Sequence, residues 1–302
     1  MRAALRLFRV ANTPSAVADV LSGIVVAGGT IASVDAWLAA SASLFLYGAG
    51  VARNDIADRV KDASVHPDRP LPSGALSERQ ARLLVLAAEV VGIILAVVSV
   101  RSTCVHGGPW IAAAGAVLVV LLAASYNAVH DRRPLLGAAL MGATRAANLL
   151  RGVVFAFLFS AGKGMESMPI AVASSAHAVL IFAVTRISQL EGVRDPVDLP
   201  RRRRLFVTTA PIALFIVAAD LKDPPTAVFL TATGLAWCGW AMRPATFTPP
   251  LAGACVGRAI GSWALWNALL VSAAGTFSQA AGVAALFPAA KLLRRLTAQR
   301  GA

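Results

Sequence analysis

The sequence predicts an all-α integral membrane protein, with about nine transmembrane helices in two similar halves around a central cavity. The first observation is composition, because 57% of the 302 residues are hydrophobic and only 14% are charged. Soluble domains usually have about a quarter of their residues charged. The second observation is that apolar runs of about 18 or more residues recur along the chain. The third is that an apolar run in each half ends in an acidic cluster. We expect residues 1–302 to form a single domain.

The distribution of basic residues predicts how the chain crosses the membrane. The net charge is +13, and Lys and Arg gather in the breaks between apolar runs, as in cytoplasmic loops. The loops predicted to be cytoplasmic are 53–82, 126–134, 191–204 and 243–250. The loops predicted to lie outside are 101–109 and 161–168. This pattern predicts a protein of the inner (plasma) membrane of a bacterium. We therefore expect membrane lipid as a partner. We expect no nucleic-acid partner, because no soluble domain carries the basic residues.

The apolar runs give the positions of the predicted helices. These runs are 13–33, 36–51, 79–100, 110–124, 135–160, 169–190, 205–219 and 226–242. Ser77, followed three residues later by Gln80, predicts a capping box at the start of the third helix. The last apolar region, 256–290, is too long for one ordinary span and short for two, and 275–278 interrupts it. Nine and ten spans both fit the sequence.

An acidic stretch follows the second apolar run. In residues 54–62, Asn-Asp-Ile-Ala-Asp-Arg-Val-Lys-Asp, the acids Asp55, Asp58 and Asp62 are spaced at i, i+3 and i+7. This spacing places three carboxylates on one face of a helix, where they repel each other unless a cation lies between them. Mg²⁺ suits such oxygen ligands. The alternative is a solvated polar turn. The proline-rich segment 64–74 cannot continue the helix, and we expect a shaped loop packed against it.

A second acidic cluster follows the sixth apolar run. Glu191 and Asp195 are four residues apart and could share a helix face, and the basic run Arg201–Arg204 comes next. Seven of the fifteen acids of the chain lie in or near the two clusters. They are Asp55, Asp58, Asp62, Asp68, Glu191, Asp195 and Asp198. This concentration disfavours the interpretation that the acids are only solvated.

Polar residues also occur inside the predicted helices. Asn12 and Asp19 lie at or within the start of the first helix, and Arg145, Asn148 and Arg151 form one stripe of the fifth. Charged side chains are costly against lipid and usually face protein or a watery cavity. We therefore expect the stripe to face an anion in the protein interior. Arg151 alone could instead reach the membrane surface from the lipid side.

With these motifs the chain resembles the UbiA superfamily of intramembrane prenyltransferases, of the 4-hydroxybenzoate polyprenyltransferase type, and the resemblance covers nearly its whole length. Residues 54–62 match the first aspartate motif of the family at every acidic position, and Arg69-Pro70-Leu71 matches the loop that follows it. Tyr126-Asn127 and the pair Arg145/Asn148 match weaker features. The second motif departs from the family, because Glu191 stands where aspartate is usual. This departure resembles a divergent, EboC-like branch.

The resemblance implies Mg²⁺-dependent transfer of a prenyl group from an isoprenyl diphosphate donor to an aromatic or lipophilic acceptor in the membrane. The residues it implies as catalytic metal ligands are Asp55, Asp58, Asp62, Glu191 and Asp195. The residues it implies as diphosphate contacts are Asn54, Lys61, Arg69, Arg145, Asn148 and Arg194. The residues it implies as cavity positions are Asn12, Asp19 and Tyr126.

Two other functions fit the same pattern. Phosphoribosyl transfer to a polyprenyl phosphate would use the same fold and the same acidic clusters. A carboxylate-lined transporter or channel would also show repeated halves. The acids of transporters tend to lie near the middle of the membrane, whereas those of this chain cluster at one face. The pattern therefore favours the enzyme, and it predicts neither the prenyl length nor the oligomeric state.

Overall fold

The structure, a computed structural model, describes residues 1–103, 105–160, 165–190, 199–243 and 250–297, and these residues form helices without strands. The first half contains α1 (Arg2–Leu7), a 3-10 turn (Val10–Asn12), α2 (Pro14–Val26), α3 (Val34–Ala57), α4 (Arg59–Val65), α5 (Glu78–Val98), α6 (Gly108–Val129) and α7 (Pro134–Ser160). The second half contains α8 (Ser167–Ser188), α9 (Leu199–Leu221), α10 (Pro224–Ala241), α11 (Pro250–Gly261), α12 (Trp263–Ala274), α13 (Phe277–Ala284) and α14 (Leu286–Thr297).

Long apolar helices make the chain an integral membrane protein. Within the described residues, α3, α5, α6, α8 and residues 202–221 of α9 are each long and apolar enough to cross a membrane. Residues 252–261 and 263–274 form a sixth crossing if this pair, bent by 45°, is one span. The all-helical class predicted from the sequence is confirmed. The count of nine spans stays a prediction.

Local sequence explains where the helices begin. The Ser77 side chain accepts the backbone N–H of Gln80, and the Gln80 side chain accepts the N–H of Ser77, so the predicted capping box is confirmed. Thr276 and Gln279 form the same reciprocal pair at the start of α13, within the segment that interrupts the last apolar region. Pro14 and the other prolines in a first turn cost no hydrogen bond, because the N–H groups there have no partner within the helix.

Small residues allow the central helices to pack closely. A Cβ atom added to Gly23 of α2 would lie 2.0 Å from the carbonyl oxygen of Leu149 in α7, and one added to Gly152 would lie 2.0 Å from that of Val20. The backbones of α2 and α7 are therefore in direct contact, as is common for membrane helices with small residues at their interface. Substitution of either glycine by a larger residue would separate the two helices.

Loops in the described part of the chain lie at two opposite ends of the bundle. We call the end that carries Asp55, Asp58 and Asp62 the acidic end. The α6–α7 corner lies at this end, because Asp131 is 3.4 Å from the Lys61 ammonium. The loop after α5 lies at the opposite end, where the Ser102 hydroxyl donates to the carboxylate of Asp35 over 2.7 Å. The structure therefore places 53–82 and 126–134 at one end and the first residues of the predicted outer loop 101–109 at the other. Which end faces the cytoplasm stays a prediction.

The C-terminal region returns to the acidic end. α12 runs beside α2 in the same direction, since Trp263 contacts Asp19 and the backbone of Gly275 approaches Val25. α13 then reverses direction, and α14 packs on α2 and on the 3-10 turn near the N-terminus. The sequence left open whether this region crosses once or twice. The packing of α14 on the 3-10 turn places this helix on the same side of the bundle as the acidic cluster. The number of crossings in this region stays open.

Candidate functional site

The acidic stretch 54–62 forms a broken helix. α3 ends at Ala57, Asp58 takes φ −86° and ψ 2°, and α4 begins at Arg59. The Asn54 amide donates to the Asp58 carboxylate over 2.7 Å, and the Asp62 N–H donates to the Asp58 carbonyl oxygen over 2.8 Å. The sequence placed the three acids on one continuous helical face. The break changes their directions, so that Asp58 faces a different set of neighbours from Asp55 and Asp62.

Two of these acids are buried and share an arginine. Asp55 is 4% exposed and Asp62 is 5% exposed. The Arg69 guanidinium pairs directly with the Asp62 carboxylate and lies 3.7 Å from that of Asp55. Arg69 is held in the proline-rich loop, where its carbonyl oxygen accepts the Ser73 N–H over 3.0 Å. The loop therefore packs against the acidic helix as predicted, and it delivers a cation to two buried carboxylates.

A further cation reaches this cluster from the N-terminal segment. Arg9 donates to the Asp55 carboxylate over 2.7 Å, and its side chain is 40% exposed. Its backbone lies in the left-handed region, with φ 42° and ψ 51°. A non-glycine residue in this region is strained, and such strain is often stored at functional sites. Sequence analysis did not single out Arg9, because no local pattern reports a contact across 46 residues.

Asp58 faces the α6–α7 corner. The His130 imidazole lies 3.4 Å from the Asp58 carboxylate and stacks on Tyr126 with ring centroids 4.9 Å apart. The contact with Asp58 raises the pKa of His130 above its usual value. Partial burial raises the pKa of Asp58, but the contacts with His130, Lys61 and Asn54 together outweigh it, and the pKa is lowered overall. One ligand atom each from Asp58, His130 and Asp131 lies within 4.8 Å of the others. Sequence interpretation assigned His130 no role.

The donor set at the acidic end fits Mg²⁺. Carboxylate oxygens are its preferred protein ligands, and three carboxylates lie along one break in a helix. Asp58 and Asp131 also lie close to His130, whose Nδ1 atom is buried and has no hydrogen-bond partner among the described residues. The second predicted cluster cannot be compared, because Glu191, Arg194 and Asp195 lie outside the described residues.

Of the remaining predicted residues, Lys61 and Tyr126 contact the group of Asp58, His130 and Asp131 at its edge, and Asn12 does not. Lys61 is largely exposed and pairs with Asp131. Asn12 lies in the 3-10 turn, where its carbonyl oxygen accepts the Ser15 hydroxyl over 2.6 Å. Tyr126 is half-buried on α6, beneath the His130 ring.

Three predicted residues, Asp19, Arg145 and Asn148, belong to a buried network in the middle of the bundle. The Arg145 guanidinium lies 3.0 Å from the Asp19 carboxylate, and the Asn148 amide donates to the same carboxylate over 3.3 Å. Trp263 and Asn267 of α12 also donate to it, over 2.7 Å and 3.3 Å. Asp19 is completely buried. The anion that Arg145 faces is therefore a carboxylate of the chain itself, and the contacts do not join Arg145 to the acidic end.

Comparisons with known proteins identify the family of the chain. Residues 16–246 match the model of the UbiA prenyltransferase family. The chain is 28% identical over 231 residues to a digeranylgeranylglyceryl phosphate synthase of Natronomonas pharaonis, covering 74% of this chain and 77% of the relative. It is 32% identical over 215 residues to the enzyme of that name from Methanopyrus kandleri, covering 70% of each chain.

A solved structure shares the fold. It comes from work on digeranylgeranylglyceryl phosphate synthase in membranes. It superposes with a TM-score of 0.59 over 94% of this chain and 98% of the other, at 14% identity. At that identity the likeness establishes the fold alone.

Proposed function

The chain belongs to the UbiA prenyltransferase family and is a prenyltransferase, and we propose that it transfers an isoprenyl group from an isoprenyl diphosphate to a hydroxyl of a glyceryl phosphate acceptor in the membrane. The acidic end is the proposed active site. Mg²⁺ is the proposed cofactor, held by Asp55, Asp58 and Asp62 together with Glu191 and Asp195 of the second cluster.

The observation that carries this proposal is the pairing of buried carboxylates with arginines at the end of an apolar bundle. Asp55 and Asp62 are buried, yet their partners Arg9 and Arg69 come from the N-terminal segment and a loop. A diphosphate head needs both a metal and cations, and the guanidinium group matches its oxygens with paired hydrogen bonds. The isoprenyl tail needs the apolar surroundings that the membrane bundle supplies.

The residues of the chain have separate roles in the proposed reaction. Arg9 and Arg69 bind and orient the diphosphate, and His130 sets the position of the Asp58 carboxylate through their 3.4 Å contact. Bound Mg²⁺ would neutralise the charge that develops on the leaving diphosphate. The hydroxyl oxygen of the acceptor forms a bond to C1 of the isoprenyl group, the bond from C1 to the diphosphate oxygen breaks, and the hydroxyl proton is released. Exclusion of water protects the allylic cation from hydrolysis.

The names of the relatives support the proposed acceptor. A digeranylgeranylglyceryl phosphate carries prenyl groups on a glyceryl phosphate, which is lipophilic but not aromatic. Such an acceptor brings a phosphate of its own and needs further cations. Arg132 and Arg133 are exposed in the α6–α7 corner at the acidic end. The sequence left the acceptor as aromatic or lipophilic, and this corner supports a phosphorylated lipophilic acceptor over an aromatic one. We further propose that the acidic end faces the cytoplasm of a bacterial inner membrane, because the basic loops 53–82 and 126–134 lie there.

Turnover by the purified protein tests the proposal. Radiolabelled geranylgeranyl diphosphate is supplied with geranylgeranylglyceryl phosphate or with 4-hydroxybenzoate, with Mg²⁺ or with EDTA. We expect product from the glyceryl phosphate acceptor alone, and only with Mg²⁺. Product from the aromatic acid alone would overturn the acceptor, and undiminished turnover in EDTA would overturn the metal. Asp35→Asn, at the opposite end of the bundle, is the matched control for substitutions of the acidic cluster.

A further inference from the structure

Arg151 is buried at membrane depth and has no carboxylate partner among the described residues. It is 9% exposed. Its guanidinium donates to the Ser43 hydroxyl over 2.8 Å and to the Asn148 side-chain oxygen over 3.3 Å. These are neutral acceptors. By contrast, Arg145, less than two turns earlier on α7, has the Asp19 carboxylate at 3.0 Å. A buried cation with only neutral partners is costly unless a negative charge joins it.

A cavity of about 310 Å³ lies beside Arg151, between α3, α5, α6 and α7. Apart from Arg151 and Ser99, its walls are apolar or glycine. Ile111, Leu118 and Leu150 form part of the lining and are 43%, 50% and 39% exposed, so the cavity opens on the lipid-facing surface of the bundle. A group the size of a water molecule occupies about 30 Å³, so the cavity has room for roughly ten groups of that size. This volume suits a segment of hydrocarbon chain.

We propose that this cavity binds an anionic membrane amphiphile, whose acidic head group pairs with Arg151 and whose hydrocarbon chain lies against the apolar walls. A neutral lipid would leave the guanidinium without a counter-charge. A free inorganic anion would leave the apolar walls in contact with water. Only a molecule with both parts satisfies the cation and the walls together. Carboxylate and phosphate head groups share this chemistry.

The cavity is separate from the proposed active site. Ala39 lines the cavity and Asp55 lies at the acidic end of the same helix. Residues 39 and 55 are about 24 Å apart along the axis at ~1.5 Å per residue. Binding in the cavity therefore does not depend on the proposed function, and its test needs no turnover.

Equilibrium binding of radiolabelled oleate to the purified full-length protein in neutral detergent tests the proposal, with empty micelles subtracted. We expect one saturable site, and at least about tenfold weaker competition by oleyl alcohol than by unlabelled oleate. Oleyl phosphate tests whether the site also accepts a phosphate head group. Competition between oleyl phosphate and oleate would support a site that accepts both acids. Displacement of oleate by inorganic phosphate, or equal competition by oleyl alcohol, would overturn the proposal.

Variants locate the site. Arg151→Gln should weaken oleate binding by at least about tenfold, while Arg101→Gln, at an exposed arginine after α5, should leave it unchanged. Ala112→Phe fills the cavity from α6 and keeps Arg151, so it tests the site even if Arg151→Gln fails to fold. We expect it to abolish saturable binding. Wild-type oleate affinity in the folded Ala112→Phe protein would overturn the assignment of the site.

Discussion

Two regions of the molecule pair aspartate with arginine, and they differ in how completely the carboxylates are enclosed. In the middle of the bundle, Asp19 is completely buried and is held by Arg145 and by side chains of α12. At the acidic end, Asp55 and Asp62 are paired with arginines whose own side chains are 27% to 40% exposed. The same two residue types therefore occur in an enclosed network and in a half-open cluster.

The difference indicates what each region can do. Every partner of Asp19 lies on a helix of the packed core, so exchange of a partner would require the helices to separate. The partners of Asp55 and Asp62 lie in a loop and in a short N-terminal turn, and they can turn to another anion at little cost in packing. We infer that the central network stabilises the assembly of α2, α7 and α12. The acidic end retains the freedom that substrate binding needs.

Removal of the central carboxylate should have the largest effect. Asp19→Asn leaves Arg145 buried without its counter-charge, which typically costs about 3–5 kcal/mol. We expect a lower apparent unfolding temperature in detergent at a fixed heating rate. The double variant Asp19→Asn/Arg145→Gln should lose less than the sum of the two single variants, because the two side chains interact. An unchanged unfolding temperature together with lost turnover would instead support the prediction from the sequence that Asp19 lines the substrate cavity.

The opposite outcome is expected at the acidic end. Asp62→Asn should reduce turnover by at least about 100-fold, or ~2.7 kcal/mol, because a proposed ligand and an arginine partner are lost together. The apparent unfolding temperature should change little, since Arg69 keeps Asp55 within 3.7 Å. Asp35→Asn serves as the control. Wild-type turnover in the Asp62→Asn variant would show that Asp62 is not part of the active site. A large loss of stability would show that the acidic end stabilises the fold as the central network does.

Hydrophobic periodicity and local caps were enough to predict most of the helices and the capping box at Ser77, because these features depend on neighbours in sequence. The sequence also indicated that Asp19 and Arg145 face protein rather than lipid. It did not reveal that they pair with each other, since that contact depends on how α2 and α7 pack. The contacts of Arg9 and His130 were missed for the same reason. The break at Asp58 was missed because residues 54–62 have good helical spacing throughout.

A smaller effect is expected from a change that keeps the charge at Arg9. Arg9→Lys retains a cation near Asp55 but loses the planar guanidinium, which can bind two oxygens at once. We expect KM for the isoprenyl diphosphate to rise about tenfold, with little change in stability. Arg6→Lys is the matched control, because Arg6 pairs with the exposed carboxylate of Asp68. An equal rise in KM for both variants would show that only general positive charge matters there.

The smallest effect is expected at Lys61, which the sequence interpretation placed among the diphosphate contacts. Its side chain is 66% exposed, and its partner Asp131 is 59% exposed at 3.4 Å. Exposed ion pairs contribute roughly 0–1 kcal/mol, so Lys61→Gln should change kcat and KM by less than about threefold. Arg69→Gln, measured in the same assay, should raise KM by more than about tenfold, because Arg69 contacts both buried acids. If Lys61→Gln matched Arg69→Gln, α4 would have to present Lys61 to the bound diphosphate. The half-open cluster would then extend along α4 and include the exposed pair with Asp131.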